Sequence, residues 1–170
     1  MTNYDTLKPG TAFVTQTNGL LAFFIRLFTF SRWNHAGIYM GVVNGVPSVI
    51  EATPGKGLVL SPAAYYPNAV YWRQQPTTDE QNTAICAHSC SLLGTPYGFL
   101  DIAALGLNNL RLGRLPWVTH RLGRVDRLIC SQHVDWVMQL AGFELFSDGR
   151  LAGAVSPGDE AQRFLEQESL

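Results

Sequence analysis

The chain has 170 residues, of which 46% are hydrophobic, so it is long enough for one domain with a substantial core. Its formal net charge of -1 lacks the basic excess typical of nucleic-acid-binding proteins, so no nucleic-acid partner is expected. The N-terminus has no signal-peptide pattern and the three cysteines fit no disulfide framework, which predicts a reduced, cytoplasmic protein.

The first elements along the chain are a short strand and an apolar helix. Residues 11–15 predict the strand, and the apolar run from Leu20 to Phe30 follows it. Arg26 and Thr29 interrupt this run, and it is shorter than the roughly 20 residues that a membrane-spanning helix needs. We therefore expect no transmembrane segment and interpret the run as a buried helix.

A group of short strands is predicted next. Their residue ranges are 34–43, 46–52, 57–60 and 69–72. Asn44-Gly45 between the first two has the chemistry of a tight hairpin turn.

Helices dominate the second half of the predicted fold. Thr78 and Gln81 form a capping-box pattern at the start of a helix that ends near Gly94. Further helices are predicted over residues 99–110 and 130–141. A strand group followed by helices predicts an α+β fold in a single domain spanning residues 1–170, with an antiparallel sheet packed against helices.

An arginine-rich segment, residues 111–127, separates the last two of these helices. Five of the chain's 12 basic residues fall within it. One interpretation is a solvated loop. The alternative is a mobile flap over a cleft, anchored by Trp117, which would bind an anionic substrate through phosphate or carboxylate contacts.

Cys130 is the candidate nucleophile because it stands at the predicted start of a helix. The unpaired amides and the dipole of a helix N-terminus stabilise a thiolate. The same amides, that of Ser131 among them, could donate to an oxyanion during acyl transfer. The alternative is a buried structural cysteine, since free cysteines are among the most buried residues.

His35 and Glu51 are candidates for a base and for the group that orients it. An imidazole titrates near neutral pH and can take a thiol proton, although a lone histidine is more often a structural one. A carboxylate in the next strand could fix the tautomer of the ring. A two-residue turn at Asn44-Gly45 would place the two side chains on opposite faces, so direct apposition requires a longer loop or a bulge.

Other titratable residues are assigned mainly to structural roles. Cys86 and Cys90 lie one helical turn apart but do not supply the four ligands of a structural zinc site, and with Leu93 they predict a core stripe. His133, three residues after Cys130, is a competing candidate for the base.

Four segments together resemble a known enzyme family. In order they read IRLFTFSRWNHAGIYMG, VIEA, GTPYGF and CSQHV, with LKPGTAFVT before them and SPGDEAQRF after them. This order is similar to the circularly permuted NlpC-type, papain-like family, in particular its YiiX/YaeF-like branch, in which the histidine precedes the cysteine. Thr11, where the family often has an acidic residue, and the arginine-rich segment depart from the pattern.

The resemblance implies a permuted papain-like fold and residue roles. Cys130 would be the nucleophile, His35 the base and Glu51 the orienting residue, and Tyr97 would contribute to the oxyanion site or line the cleft. The implied enzyme is a cysteine amidase or peptidase of bacterial or phage origin. It would act without metal or organic cofactor on peptidoglycan stem peptides, other small amides or lipid-linked acyl groups.

Two other classes of function stay open from the sequence. One is a lipid-directed acyltransferase or hydrolase of the lecithin retinol acyltransferase-like type, and the other is a non-catalytic module that binds ligands in the same cleft. The location expected is the cytoplasm, with signal-independent export as an effector or phage lysis factor as the alternative. The oligomeric state is not predicted.

Overall fold

The computed structural model describes residues 4–112 and 116–168, and it has an α+β fold. Five strands form one antiparallel sheet with the order β4-β3-β2-β1-β5. The strands are β1 (Ala12–Thr15), β2 (His35–Val43), β3 (Val46–Thr53), β4 (Gly57–Pro62) and β5 (Val70–Tyr71). The prediction of an α+β fold with an antiparallel sheet is confirmed.

Six helices are found in the part of the chain that the structure describes. They are α1 (Leu20–Thr29), α2 (Asp79–Ser91), α3 (Phe99–Leu107), α4 (Pro116–Leu122), α5 (Cys130–Leu140) and α6 (Pro157–Glu168). A π-helical turn, Asn108–Leu112, follows α3 directly. The predicted capping box of Thr78 and Gln81 is present at the N-terminus of α2.

The β2–β3 hairpin combines a tight turn with a bulge. Asn44 and Gly45 both have positive φ angles, 51° and 80°, as the two-residue hairpin turn requires. A register shift between Tyr39 and Gly41 then moves the pairing by one residue, and Gly41 adopts a φ of 81°. The sequence predicts that direct apposition of His35 and Glu51 requires a longer loop or a bulge. The bulge is present, but it places the two residues diagonally on one face of the sheet and not directly opposite each other.

The sheet buries both of its faces. On one face, Ala36 and Ile38 of β2 pack with Val134 and Met138 of α5. On the other face, a separate cluster contains Phe13, Tyr39, Val49 and Tyr71. The start of β2 and the N-terminus of α5 lie next to each other, since the Sγ atom of Cys130 is 4.0 Å from the carbonyl oxygen of Asn34.

Helix α1 differs from the sequence prediction in its exposure. We interpreted its apolar run as a buried helix, but only Ala22 and Ile25 are buried. Leu20 is 75% exposed and Phe30, which follows the helix, is 77% exposed. The helix is apolar on two opposite sides, and the fold covers only one of them.

The arginine-rich segment is in part helical, contrary to the loop interpretation. Pro116–Leu122 forms α4, whose Val118 and Leu122 are buried. Arg121 extends towards Asp101, with 3.7 Å between their charged atoms, and Arg124 forms an ion pair with Asp126. The side chains of Arg111 and Arg114 lie outside the described residues, as does the backbone at residues 113–115.

The predicted core stripe of α2 is wrong. Cys90 is exposed, Cys86 is only partly buried, and Leu93 is 45% exposed. The buried side of the helix instead carries Asn82, Ile85 and Ser89. Two of these residues are polar, so hydrophobic spacing alone selected a neighbouring, more exposed side of the helix.

Candidate active site

Cys130 is the first residue of α5. The preceding Ile129 is the N-cap, and its side chain makes no capping hydrogen bond. The first-turn amides at this end therefore have no side-chain acceptor from the N-cap residue. The thiol itself is buried, with 2% of the residue exposed.

His35 and Glu51 meet although they are not directly opposite in the sheet. Glu51 is paired with Gly37, and His35 is paired with Thr15 of β1. The diagonal contact joins the Nε2 atom of His35 to the Oε2 atom of Glu51 over 2.6 Å. A side chain at Gly37 would collide with Phe13 and with the carbonyl of Ile50, so the glycine allows the Phe13 ring to pack directly on β2 beside this pair.

The imidazole of His35 also interacts with the side chain of Cys130. Burial by itself would lower the pKa of His35, but hydrogen bonds to Cys130 and Glu51 and their negative charge outweigh it and raise the pKa to about 9. The ring is thus held as an imidazolium at neutral pH. The three residues that the sequence argument joined lie together, with the ring between sulfur and carboxylate.

Tyr66 is a site residue that the sequence argument missed. Its hydroxyl donates a hydrogen bond to the Oε2 atom of Glu51, and its ring lies 5.2 Å from that of His35 between centroids. Burial would raise the pKa of Glu51, but hydrogen bonds from His35, Tyr66 and Ser61 keep it below its usual value. Tyr66 follows a 3-10 turn after β4, in a loop whose sequence has no periodic signal for this contact.

A cleft of about 300 Å³ opens beside these residues. His35, Glu51, Tyr66 and Tyr97 line it, and the N-terminal part of α1 forms another wall. Cys130 lies in the wall of a neighbouring apolar crevice of about 10 Å³. Ile25 and Tyr97 line both spaces. Access from the cleft to the thiol therefore requires movement of one of these side chains.

Tyr97 lines both the cleft and the crevice that contains Cys130. It is 6% exposed and packs against Phe99 at 5.0 Å between ring centroids. Burial, together with the charge of Cys130, raises the pKa of its hydroxyl, so Tyr97 stays neutral. It can act as a wall or as a hydrogen-bond donor in the cleft.

Asn34 ties the start of β2 to the loop before α1. Its side chain accepts hydrogen bonds from the backbone amide and the hydroxyl of Thr17, and donates one to the Thr17 carbonyl at 2.9 Å. Arg26 of α1 donates to the same carbonyl at 2.8 Å. These bonds fix the loop that closes one end of the cleft, a role that the sequence did not indicate.

The hydroxyl of Ser131 is not available to a substrate. It is fully buried and donates to the carbonyl of Val155 at 2.7 Å. The oxyanion role predicted for Ser131 can therefore involve only its backbone amide.

His133 occupies the core and not the cleft. It is fully buried, its Nε2 atom lies 3.2 Å from the hydroxyl of Ser89, and burial lowers its pKa to about 3. A ring that stays neutral and contacts α2 is suited to packing, which favours His35 over His133 as the base.

The described residues do not offer a metal site. Between residues 4 and 168, apart from the gap at 113–115, no group of three His, Cys, Asp or Glu side chains is placed to hold a metal ion. At the candidate site, the Nε2 atom of His35 and the carboxylate of Glu51 are bonded to each other. These two groups, which could otherwise be metal ligands, are thus already engaged in a hydrogen bond with each other.

One solved structure with a similar fold supports the architecture. No protein-family model matches this sequence, and neither does any curated protein. The crystal structure of YiiX from Escherichia coli O157:H7, described as a metalloprotein of DUF1105, superposes with a TM-score of 0.59. The two chains share a fold. The match covers 82% of this chain and 69% of YiiX, at 22% sequence identity.

No helix of the described residues is both long and apolar enough to cross a bilayer.

Proposed function

We propose that the protein is a cysteine hydrolase of the circularly permuted, NlpC-type papain-like class, in the YiiX/YaeF-like branch. The observation that carries the proposal is the network at the junction of β2 and α5. There the buried imidazole of His35 is hydrogen-bonded to the Glu51 carboxylate, and the Cys130 sulfur lies 4.0 Å from the carbonyl of the preceding Asn34, close enough to raise the pKa of His35. Packing of an apolar core alone would not require a thiol, an imidazole and a carboxylate at this place.

The first half of the reaction forms an acyl-enzyme. The Cys130 thiolate attacks the carbonyl carbon of an amide or ester, and the carbonyl oxygen becomes an oxyanion that helix N-terminal amides can stabilise. The imidazolium of His35 then gives its proton to the leaving amine or alcohol as the C–N or C–O bond breaks. Glu51 holds the ring in place and balances its charge.

The second half releases the acyl group. His35, now neutral, takes a proton from a water molecule that attacks the thioester, and a carboxylic acid leaves as the C–S bond breaks. The proposed substrates are peptidoglycan stem peptides, other small amides and lipid-linked acyl groups. Attack by an acceptor amine or alcohol in place of water would make the protein an acyltransferase.

The test compares wild type with Cys130→Ser. Both proteins are incubated with peptidoglycan fragments, with small N-acyl amides and with acylated phospholipids, and the products are identified by mass spectrometry. We expect wild type to cleave one of these classes and Cys130→Ser to be inactive. Cys90→Ser is the matched control, because Cys90 is exposed and lies on a different helix, α2.

A second measurement does not depend on the choice of substrate. Iodoacetamide should modify Cys130 faster than Cys86, because burial raises the pKa of the Cys86 thiol to about 11. Ile25→Ala widens the passage between cleft and thiol and should increase the rate at Cys130 further. Equally slow modification of Cys130 in wild type and in Ile25→Ala would contradict a nucleophilic role and favour a non-catalytic binding module.

A further inference from the structure

The outer side of α1 is a large apolar surface that no described residue covers. Leu20, Phe23 and Leu27 are 75%, 52% and 50% exposed, and their spacing places them on one side of the helix. Phe24 and Phe30 extend this surface. Exposed side chains of this size that are grouped, and not scattered singly, mark an interaction site.

The helix next to α1 continues the surface. Phe28 on the inner side of α1 packs against Gly106 of α3, where a side chain on the glycine would collide with the ring. At the N-terminal end of α3, Phe99 and Leu100 are 54% and 51% exposed. We call the exposed apolar residues of these two helices, together with Phe30, the α1–α3 face.

Charge around the α1–α3 face is strongly one-sided. The segments 6–50 and 102–125, which contain α1 and most of α3, hold none of the 13 acidic residues. They hold seven of the 12 basic residues, which are Lys8, Arg26, Arg32, Arg111, Arg114, Arg121 and Arg124.

Two of these basic residues are the ones closest in sequence to the exposed side chains. Lys8, Arg121 and Arg124 are near carboxylates, at Asp79, Asp101 and Asp126 respectively. Among the described side chains, neither Arg26 nor Arg32 forms an ion pair. Arg32 is exposed and stacks on Trp33, with its guanidinium 4.9 Å from the ring centroid.

We propose that the α1–α3 face docks on the surface of a bilayer containing anionic lipids. Phenylalanine and leucine side chains insert among the acyl chains at the boundary with the headgroups, and the exposed guanidinium of Arg32 contacts anionic headgroups. The one acidic residue of these two helices, Asp101, is buried, so neither α1 nor α3 exposes a carboxylate that anionic lipids would repel. The helix lies on the membrane and does not cross it.

The position of the candidate cleft agrees with this docking. Leu20, Leu21 and Ala22 of α1 line the cleft that contains His35 and Glu51. Docking by α1 therefore brings the mouth of the cleft to the lipid surface. The proposal goes beyond the proposed hydrolase activity and does not require it.

The test is sedimentation with vesicles of phosphatidylcholine mixed with phosphatidylglycerol, and with vesicles of phosphatidylcholine alone. We expect the full chain to bind the mixed vesicles at least about 10-fold more tightly, and added salt to weaken this binding. Phe23→Ser/Leu27→Ser should weaken the affinity for mixed vesicles by about 10-fold or more, and Arg32→Gln should weaken it by a smaller factor. Val46→Ser/Leu60→Ser is the matched control, because these side chains are both 45% exposed but belong to the sheet.

Three results would overturn the proposal. These are no binding of wild type to mixed vesicles, equal loss in the control variant, and a lipid-free dimer that Phe23→Ser/Leu27→Ser dissociates in sedimentation velocity. The last would show that a second copy covers the face. Cys130→Ser should bind vesicles like wild type, so the vesicle result and the hydrolase result are independent.

Discussion

The two sides of this molecule use apolar residues in opposite ways. Where β2 meets α5, Ala36, Ile38 and Val134 are fully buried, and His35 at the start of β2 is hydrogen-bonded to Glu51. On the α1–α3 face, Phe23 and Leu27 have the same apolar character but are about half exposed. Hydrophobicity therefore identified both regions as important, but it did not distinguish a core from a surface.

The difference also concerns where charge is permitted. Beside the core, the short hydrogen bond between His35 and Glu51 offsets the free energy cost of burying their two charges. Beside the α1–α3 face, Arg32 is exposed and its charge is not balanced by a carboxylate in the described chain. The first arrangement is suited to chemistry inside the protein, and the second to contact with an external partner.

The largest expected effect is on the buried side. His35→Ala removes the imidazolium beside Cys130, so the rate of iodoacetamide modification of Cys130 at pH 7 should fall by about 10- to 100-fold, because an ordinary thiol is only a few per cent ionised there. Peptide mapping measures the rate. His88→Ala, on α2, is the control and should leave the rate unchanged. An unchanged rate in His35→Ala would show that the His35 ring does not activate the Cys130 thiol.

A pair of truncations compares the two regions in stability. Ile38→Ala leaves a cavity in the core and should lower the free energy of unfolding by about 2–5 kcal/mol. Leu27→Ala on the α1–α3 face should change it by no more than about 0.5 kcal/mol. Urea denaturation followed by circular dichroism measures both. Similar losses for the two variants would show that α1 is packed against something in solution.

The pH dependence of the His35–Glu51 pair gives a third prediction. Because the folded pKa of His35, about 9, is above its unfolded value, its contribution to stability is complete below about pH 6.5 and is lost as the pH rises through 9. Glu51→Gln removes a negative charge and should lower the pKa of His35. NMR titration of the imidazole carbons measures it.

The exposed pair Arg124 and Asp126 provides the control for this titration. Asp126→Asn removes a carboxylate that is not in the network, so the pKa of His35 should stay near 9. If the pKa of His35 fell equally in Glu51→Gln and Asp126→Asn, the cause would be the net charge of the protein and not the hydrogen bond between His35 and Glu51.

A smaller effect within the candidate site is expected for Tyr66→Phe. It removes one hydrogen bond to Glu51, which keeps those from His35 and Ser61, so the free energy of unfolding should fall by about 1 kcal/mol. Tyr65→Phe is the matched control, because Tyr65 is 69% exposed. Thermal unfolding compares the two variants, and equal melting temperatures would mean that the Tyr66 hydroxyl does not support the carboxylate.

Local patterns predicted most elements well. Alternation and turn residues located the β2–β3 hairpin, and the capping box located α2, because these signals involve neighbours in sequence. The helix α4 was missed because its segment is rich in arginine, and α6 because its end of the chain is polar. Their apolar residues are few and separated by polar ones, although Val118 of α4 and Phe164 of α6 are buried.

The sequence by itself determined the order of the five strands and of helices α1, α2, α3 and α5, the tight turn at Asn44-Gly45 and the choice of three candidate side chains. Only the tertiary structure decided that a bulge near Gly41 brings His35 to Glu51 diagonally and that Phe13 packs on Gly37. It also decided that Tyr66 supports the carboxylate and that one side of α1 stays uncovered. The physical reason is the same in each case: contacts between distant segments depend on register and packing, which local residue patterns do not specify.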